Sequence, residues 1–300
     1  MVLNVFSGGG LAGVTVSGNG LANPSPSSAS GAVTVTSNDG GARDVTFAGS
    51  SVVTRTTSLK LPSAAVKVTL IPADFDLTAF DQLCRQPSIR RWQAPPTIAV
   101  ETRVATFTSL TDATMPSSDV VVTDAFARDV AHDMEVSLSD LSGGRWTSFG
   151  AINVLHEGTA GGSIPVQVSG RITVTRVMGL YPATGFGGFT RWEVNGAGEV
   201  TGASILLDTG YDQPLSAYAK TLRAHELGHA LGLSHVTARP SVMNPSATLA
   251  PTQFDRDATR LEWERPLGNQ SPDVDPSGAS INRAGRSYWT AGEGSGPGRF

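Results

Sequence analysis

"HELGHALGLSH" at positions 225–235 holds three of the chain's five histidines. His225 and His229 are separated by one helical turn, so on a helix both side chains share a face and can meet at one metal ion. Gly232 follows, and a glycine there can take the left-handed conformation that stops a helix and reverses the chain. The reversal carries His235 back toward the same point as a third imidazole. Three neutral imidazoles leave the fourth position of a tetrahedral Zn²⁺ open for water, which distinguishes a catalytic site from a closed structural one. Glu226, beside the first ligand, is placed to hydrogen-bond that water. It would take the water's proton during attack on a carbonyl and then hand it to the leaving amine. One catalytic zinc ion is the expected cofactor.

Composition narrows what surrounds this motif. With 300 residues and 39% hydrophobic content the chain can bury a sizeable core, as one large or two modest domains. Charged residues make up 16%, the formal net charge is −4, and no cluster of Lys and Arg tracks a phosphate backbone, so nucleic acid is not an expected partner. No apolar run approaches the roughly 18 residues of a membrane span. The single cysteine, Cys84, excludes an internal disulfide framework and a cysteine-based zinc site, leaving His and carboxylate as metal ligands. The opening "MVLNVFSGGG" lacks the features of a secretory signal. The Gly-, Ser-, Thr- and Val-rich, lysine-poor composition nonetheless resembles exported bacterial proteins, and a secreted or cell-surface monomer is expected.

Residues 1–72 alternate β-branched and polar residues between Gly, Ser, Asn and Pro turns, in "VLNVF", "GVTVSG", "GAVTVTS", "RDVTFAG", "SVVTRTTSLKL" and "AAVKVTLI". That pattern predicts a small antiparallel β-sandwich. In "DFDLTAFDQLCRQP" the period changes: Leu77, Phe80 and Cys84 share a helical face and Pro87 lies beyond the end, which predicts a helical linker over 73–96. "TIAVETRVATF" reads as a strand. Val122, Phe126, Val130, Met134, Leu138 and Leu141 then fall at helical spacing, with Gly143 and Gly144 as a stop. Strands are expected in "FGAINVLHEG", "GRITVTRVMGL", "GGFTRWEV" and "GEVTGASILLD", then the helix "PLSAYAKTLRAHELGHALG" and a last helix capped by Thr252 and Asp255. The Gly/Ser/Pro-rich tail, 267–300, is expected to be disordered or to hug the surface.

H-E-L-G-H-A-L-G-L-S-H has the form of the metzincin zinc endopeptidases, which also carry a methionine-containing turn downstream. "SVMNP" (241–245) supplies that turn. The resemblance covers residues 97–266 and is nearest to matrixin-like bacterial members, on "GEVTGASILLD" before the helix and "SVMNP" after it. It implies an α+β catalytic domain with a twisted mixed sheet, long helices and a Met-turn, preceded by the small all-β sandwich. It further implies that Met243 forms an apolar floor under the metal, and that "GGFTRWEV" is an edge strand on which an extended protein or peptide substrate pairs. Asn244 stands where some metzincins carry a tyrosine, so no tyrosine ligand is carried over. The N-terminal segment resembles carboxypeptidase-regulatory or transthyretin-like modules, which implies a spacer, adhesion or targeting role.

The expected function is therefore a zinc-dependent endopeptidase, with His225, His229 and His235 as metal ligands, Glu226 as catalytic base and acid, and Gly232 and Met243 as support. The rival from another class is a non-catalytic binding or adhesion protein whose zinc site is structural. A third reading keeps the chemistry but acts on a non-peptide amide. Cys84 reads as a small core residue, with a latency switch as the alternative. His132 and His156 read as solvated or hydrogen-bonded, with accessory metal roles as the alternative. Asp208 reads as a loop cap, with cation binding as the alternative.

Overall fold

The computed structural model describes residues 1–22, 25–37, 40–61, 65–271, 273 and 287–290, the last four by backbone alone. Two compact units emerge: Met1–Leu77 with the described part of 271–300, and Thr78–Gln270. Among the described residues no helix is long and apolar enough to cross a membrane.

In the first unit the strands are β1 (Val2–Asn4), β2 (Thr15–Ser17), β3 (Gly41–Gly49), β4 (Val52–Leu61) and β5 (Val68–Leu70). The antiparallel run β2–β3–β4 presents Val16, Val45 and Phe47 inward, where they meet Val2, Val68 and Leu70. Alternation thus does what period 2 demands, placing one apolar face on a shared core. Two details differ from the sequence reading. β1 and β5 pair in parallel, so they are not part of an antiparallel set. "GAVTVTS" forms no strand: Val33 and Val35 pack half-buried against the core, and only an isolated bridge, Leu21 to Ser37, marks the segment. Val/Thr alternation there reports side-chain burial without a continuous ladder.

Elements of the second unit are α1 (Leu77–Cys84), β6 (Thr97–Glu101), β7 (Arg103–Thr106), β8 (Thr114–Val121), α2 (Asp124–Leu141), β9 (Ala151–Leu155), β10 (Ser163–Pro165), β11 (Arg171–Met178), α3 (Leu180–Thr184), β12 (Gly188–Val194), β13 (Val200–Asp208), α4 (Ala217–Leu231) and α5 (Gln253–Glu262). They build a mixed eight-stranded sheet. β11 and β13 run parallel at its centre and are buried almost throughout, as strands covered on both faces are. β12 pairs antiparallel with β13 and ends the sheet on that side.

The expected strand "TIAVETRVATF" is split at Thr102. β6 pairs with β9 and β11, whereas β7 pairs with β8 and β11. The buried Glu101 carboxylate joins the break by accepting from the main-chain nitrogens of Arg103 and Glu157, both at 2.9 Å. The long helix begins later than its apolar spacing suggested: Thr123 is the N-cap, its hydroxyl accepting from Phe126 N, and Val122 lies outside. Ahead of it Val120 and Val121 belong to β8, whose pleated backbone suits β-branched residues better than a helical turn does. The short elements β10 and α3 have no counterpart in the sequence reading.

Residues 78–92 pack within this second unit. Phe80, Leu83 and Ile89 are fully buried, and the Trp92 indole donates to Ala230 O at 2.9 Å. Cys84 is buried among them, and burial pushes its thiol well above the usual value, as for a core residue. At the other end, Ile89 N donates to Asn269 O and Gly268 N to Ile89 O. Most of the expected disordered tail lies outside the described residues. Within it, Ser287–Thr290 (β14) pairs antiparallel with β4 in the first unit.

Candidate metal centre

α4 is set into the second unit by capping and by buried charge. Ser216 Oγ accepts from Ala219 N at its start. Arg223, nearly inaccessible, donates from Nε to Asp212 Oδ1 (2.7 Å) and from Nη1 to Asp133 Oδ2 (2.6 Å). Asp212 also accepts from Arg176 Nε at 2.8 Å, and Phe126 lies under both guanidinium groups. The network ties α4 to α2 and β11, and each buried charge has an opposite partner as burial requires. Polar side chains rather than an apolar stripe therefore orient this helix.

At its C-terminus Gly232 adopts φ +113° and ends the helix, its nitrogen donating to the last-turn carbonyls. A side chain there would meet the Arg90 carbonyl, so both conformation and close approach demand glycine. The chain then returns and places His235 against the helix. The three Nε2 atoms of His225, His229 and His235 lie 3.1, 3.1 and 3.3 Å from one another. Nδ1 of His225 faces Val242 O and Nδ1 of His229 faces Leu233 O, each at 2.8 Å. A neutral imidazole that donates from Nδ1 carries its lone pair on Nε2, so His225 and His229 both turn acceptors toward the triangle. Burial lowers all three imidazole pKa values, to about 4 for His225 and about 3 for His229, and for these two the neighbouring rings add to the effect. They are thus neutral and able to bind metal at neutral pH. With Zn–N bonds of about 2.0–2.1 Å, a tetrahedral ion needs nitrogens roughly 3.3 Å apart. The donor set and its spacing fit zinc.

The triad lines a cleft of about 700 Å³ that also includes Glu226, Thr190, Trp192, Leu222 and the segment 245–247. Burial raises the Glu226 carboxyl to about 7, against the opposing effect of its hydrogen bond from Thr190. The Thr190 hydroxyl donates to Oε2 at 2.6 Å. The methionine turn packs against α4. Met243 is fully buried with its sulfur against Gly228, where a side chain would collide with it. Asp255, on α5, holds the turn by accepting from Ser241 Oγ (2.5 Å) and Val242 N (3.0 Å). Asn244 Nδ2 donates to the Val236 and Arg239 carbonyls. Since Val242 O also faces His225 Nδ1, Asp255 and the first histidine hold the same residue, one by its nitrogen and the other by its carbonyl.

The structure thus brings His225, His229, His235, Glu226, Gly232 and Met243 into one region. His132 is exposed on α2, and His156 is held by Thr102 Oγ1 at 3.0 Å and lies 3.4 Å from Asp124. Asp208 accepts from Tyr181 N and Gly210 N at 2.9 and 2.8 Å, which is loop capping. Among the described residues the three motif histidines are the group whose donor atoms converge. Sequence reasoning assigned no role here to Thr190, Gly188 or Arg90, and saw Asp255 only as a cap. The "T-x-x-D" capping box was its one signal; Thr190 and Gly188 are set by strand packing and Arg90 by a loop approach to Gly232, neither of which has a local signature.

The matrixin family model matches residues 179–260, a segment from α3 into α5 that carries the three histidines, Glu226, Gly232 and Met243. No curated protein matches the chain. The match and the histidine cluster together support a metzincin-like domain and suggest a zinc metallopeptidase.

Proposed function

We propose that this chain is a zinc-dependent endopeptidase in which His225, His229 and His235 hold the ion, Glu226 is the proton carrier and Met243 supports the floor. The observation that carries the reading is the three-sided array of imidazole Nε2 atoms in a cleft shared with a buried carboxylate. Bound zinc would polarise the scissile carbonyl and acidify an attacking water. Glu226 Oε1, the oxygen that Thr190 does not engage, takes the proton of that water and passes it to the departing nitrogen. A carboxyl poised near neutrality can do both, being neither too acidic to accept nor too basic to release. β12 ends the sheet beside the cleft, so an extended peptide would pair along its free edge with its carbonyl over the histidines. The all-β first unit would serve as spacer, adhesion or targeting module of an exported or surface protein.

The test is cleavage of an unfolded protein by the zinc-loaded chain, beside Glu226→Ala at matched zinc content. Loss of a proton carrier should lower kcat by about 10²–10⁴-fold. Equal cutting by both proteins would remove Glu226 from the mechanism. If neither cuts while both hold one zinc, a structural zinc site in a binding protein becomes the better reading.

A further inference from the structure

Glu226 is embedded in the unit, yet its helix cannot by itself fix where its carboxylate points, because a glutamate side chain has three rotatable bonds. What surrounds it comes from β12. Residues 188, 190 and 192 alternate on one face of that strand, opposite Leu207, Ile205 and Ala203 of β13. That face looks onto α4. Trp192 places its ring nearly parallel to that of His229, with centroids 6.4 Å apart. Thr190 donates to Glu226 Oε2 at 2.6 Å and also lies 3.2 Å from the Glu226 carbonyl. Gly188 has no side chain where one would intrude: a Cβ there would lie 2.5 Å from Oε1 and 2.8 Å from Cδ of Glu226. Its φ is not in the left-handed region, so the backbone at 188 does not itself require glycine. The space is needed for the carboxylate.

Resting on the peptidase reading above, we propose that the β12 face is a socket for the Glu226 carboxylate, with Thr190 as a positioning residue and Gly188 as the gap that admits it. Thr190 anchors Oε2 and leaves Oε1 as the oxygen that moves the proton. The same strand offers its free edge to a substrate, so one rigid element sets both the proton carrier and the peptide it serves. Such coupling matters because a displacement of about 1 Å in a reacting group can cost 10²-fold in rate.

The experiment compares Thr190→Val, Thr190→Ser and Gly188→Ala with the parent, each zinc-loaded, by kcat and KM on one peptide, zinc content, thermal unfolding and crystal structure at residue 226. Thr190→Val should lower kcat at least tenfold with KM, zinc content and Tm little changed, and the carboxylate should leave its parent position. Thr190→Ser should restore most of the loss, which a purely structural role for the side chain would not require. Gly188→Ala should displace the carboxylate by a different route and lower kcat similarly. An unaltered kcat in Thr190→Val, or a carboxylate that stays in place in both Thr190→Val and Gly188→Ala, would overturn the proposal. If the zinc-loaded parent proves inert while the carboxylate moves in Thr190→Val and not in Thr190→Ser, the socket stands and the peptidase reading falls.

Discussion

Replacing Glu262 by glutamine is expected to abolish a pH dependence in the stability of the second unit. Glu262 ends α5 with only 3% exposure, and its Oε1 has no hydrogen-bond partner among the described residues. Burial raises the carboxyl from 4.5 to about 7, outweighing the opposing pull of Arg91 and Arg90. Below the unfolded value both states hold the proton. Between 4.5 and 7 the unfolded chain has released it while the folded protein keeps it, so stability falls as pH rises through that window and levels off above it. At about 1.4 kcal/mol per unit, the loss between pH 5 and pH 8 comes to about 2.5 kcal/mol. Glutamine keeps the shape and cannot ionise, so the parent-minus-variant difference should change by that amount over the same range. Urea unfolding followed by tryptophan fluorescence measures it, with Trp263 adjacent to the mutated position. The difference between two proteins cancels the histidine titrations that both share. A difference that shifts by less than about 0.5 kcal/mol would refute the argument, since one unit of pKa shift already exceeds it.

Two further outcomes follow from the turn that carries His235. Gly232→Ala combines a φ of +113° with a collision at the Arg90 carbonyl. A disfavoured backbone costs about 1–3 kcal/mol and overpacking about as much again, so thermal unfolding should drop by several degrees and zinc should bind more weakly; an unchanged Tm would show that the turn relaxes freely. Gln82→Ala removes the side-chain oxygen that accepts from Thr237 N and Ala238 N at 2.9 and 3.1 Å. Each bond contributes about 1 kcal/mol, and loosening the loop just beyond His235 should weaken zinc roughly tenfold in a chelator competition. Affinity within twofold of the parent would show that α1 does not brace the metal loop.

How the site was legible differs residue by residue. His225, His229 and Gly232 act through helix periodicity and backbone conformation, both encoded within a few neighbouring residues. The Thr252–Asp255 capping box was equally local, and both reciprocal bonds form. By contrast Val122 matched helical spacing and still fell outside the helix, because Thr123 supplied a cap and the Val122 nitrogen donates to Thr102 O. Apolar spacing reports burial; it does not report which backbone partner wins.

From sequence alone came the metal-ligand spacing, the helix that bears it, the chain reversal at Gly232 and the mixed α+β character of the second unit. These depend on torsion preferences and on contacts a few residues apart, and short-range physics is written in consecutive letters. Tertiary structure decided what holds those groups still. Thr190 and Gly188 reach Glu226 across 36 or more positions of chain, Asp255 reaches Val242 from α5, and Asp212 joins Arg176 to Arg223. It decided as well that Gln82 and Trp92, within the stretch 73–96 read as a helical linker, reach the His235 loop and α4. Such contacts depend on how strands and helices stack, and stacking is a property of the whole unit that no local pattern contains.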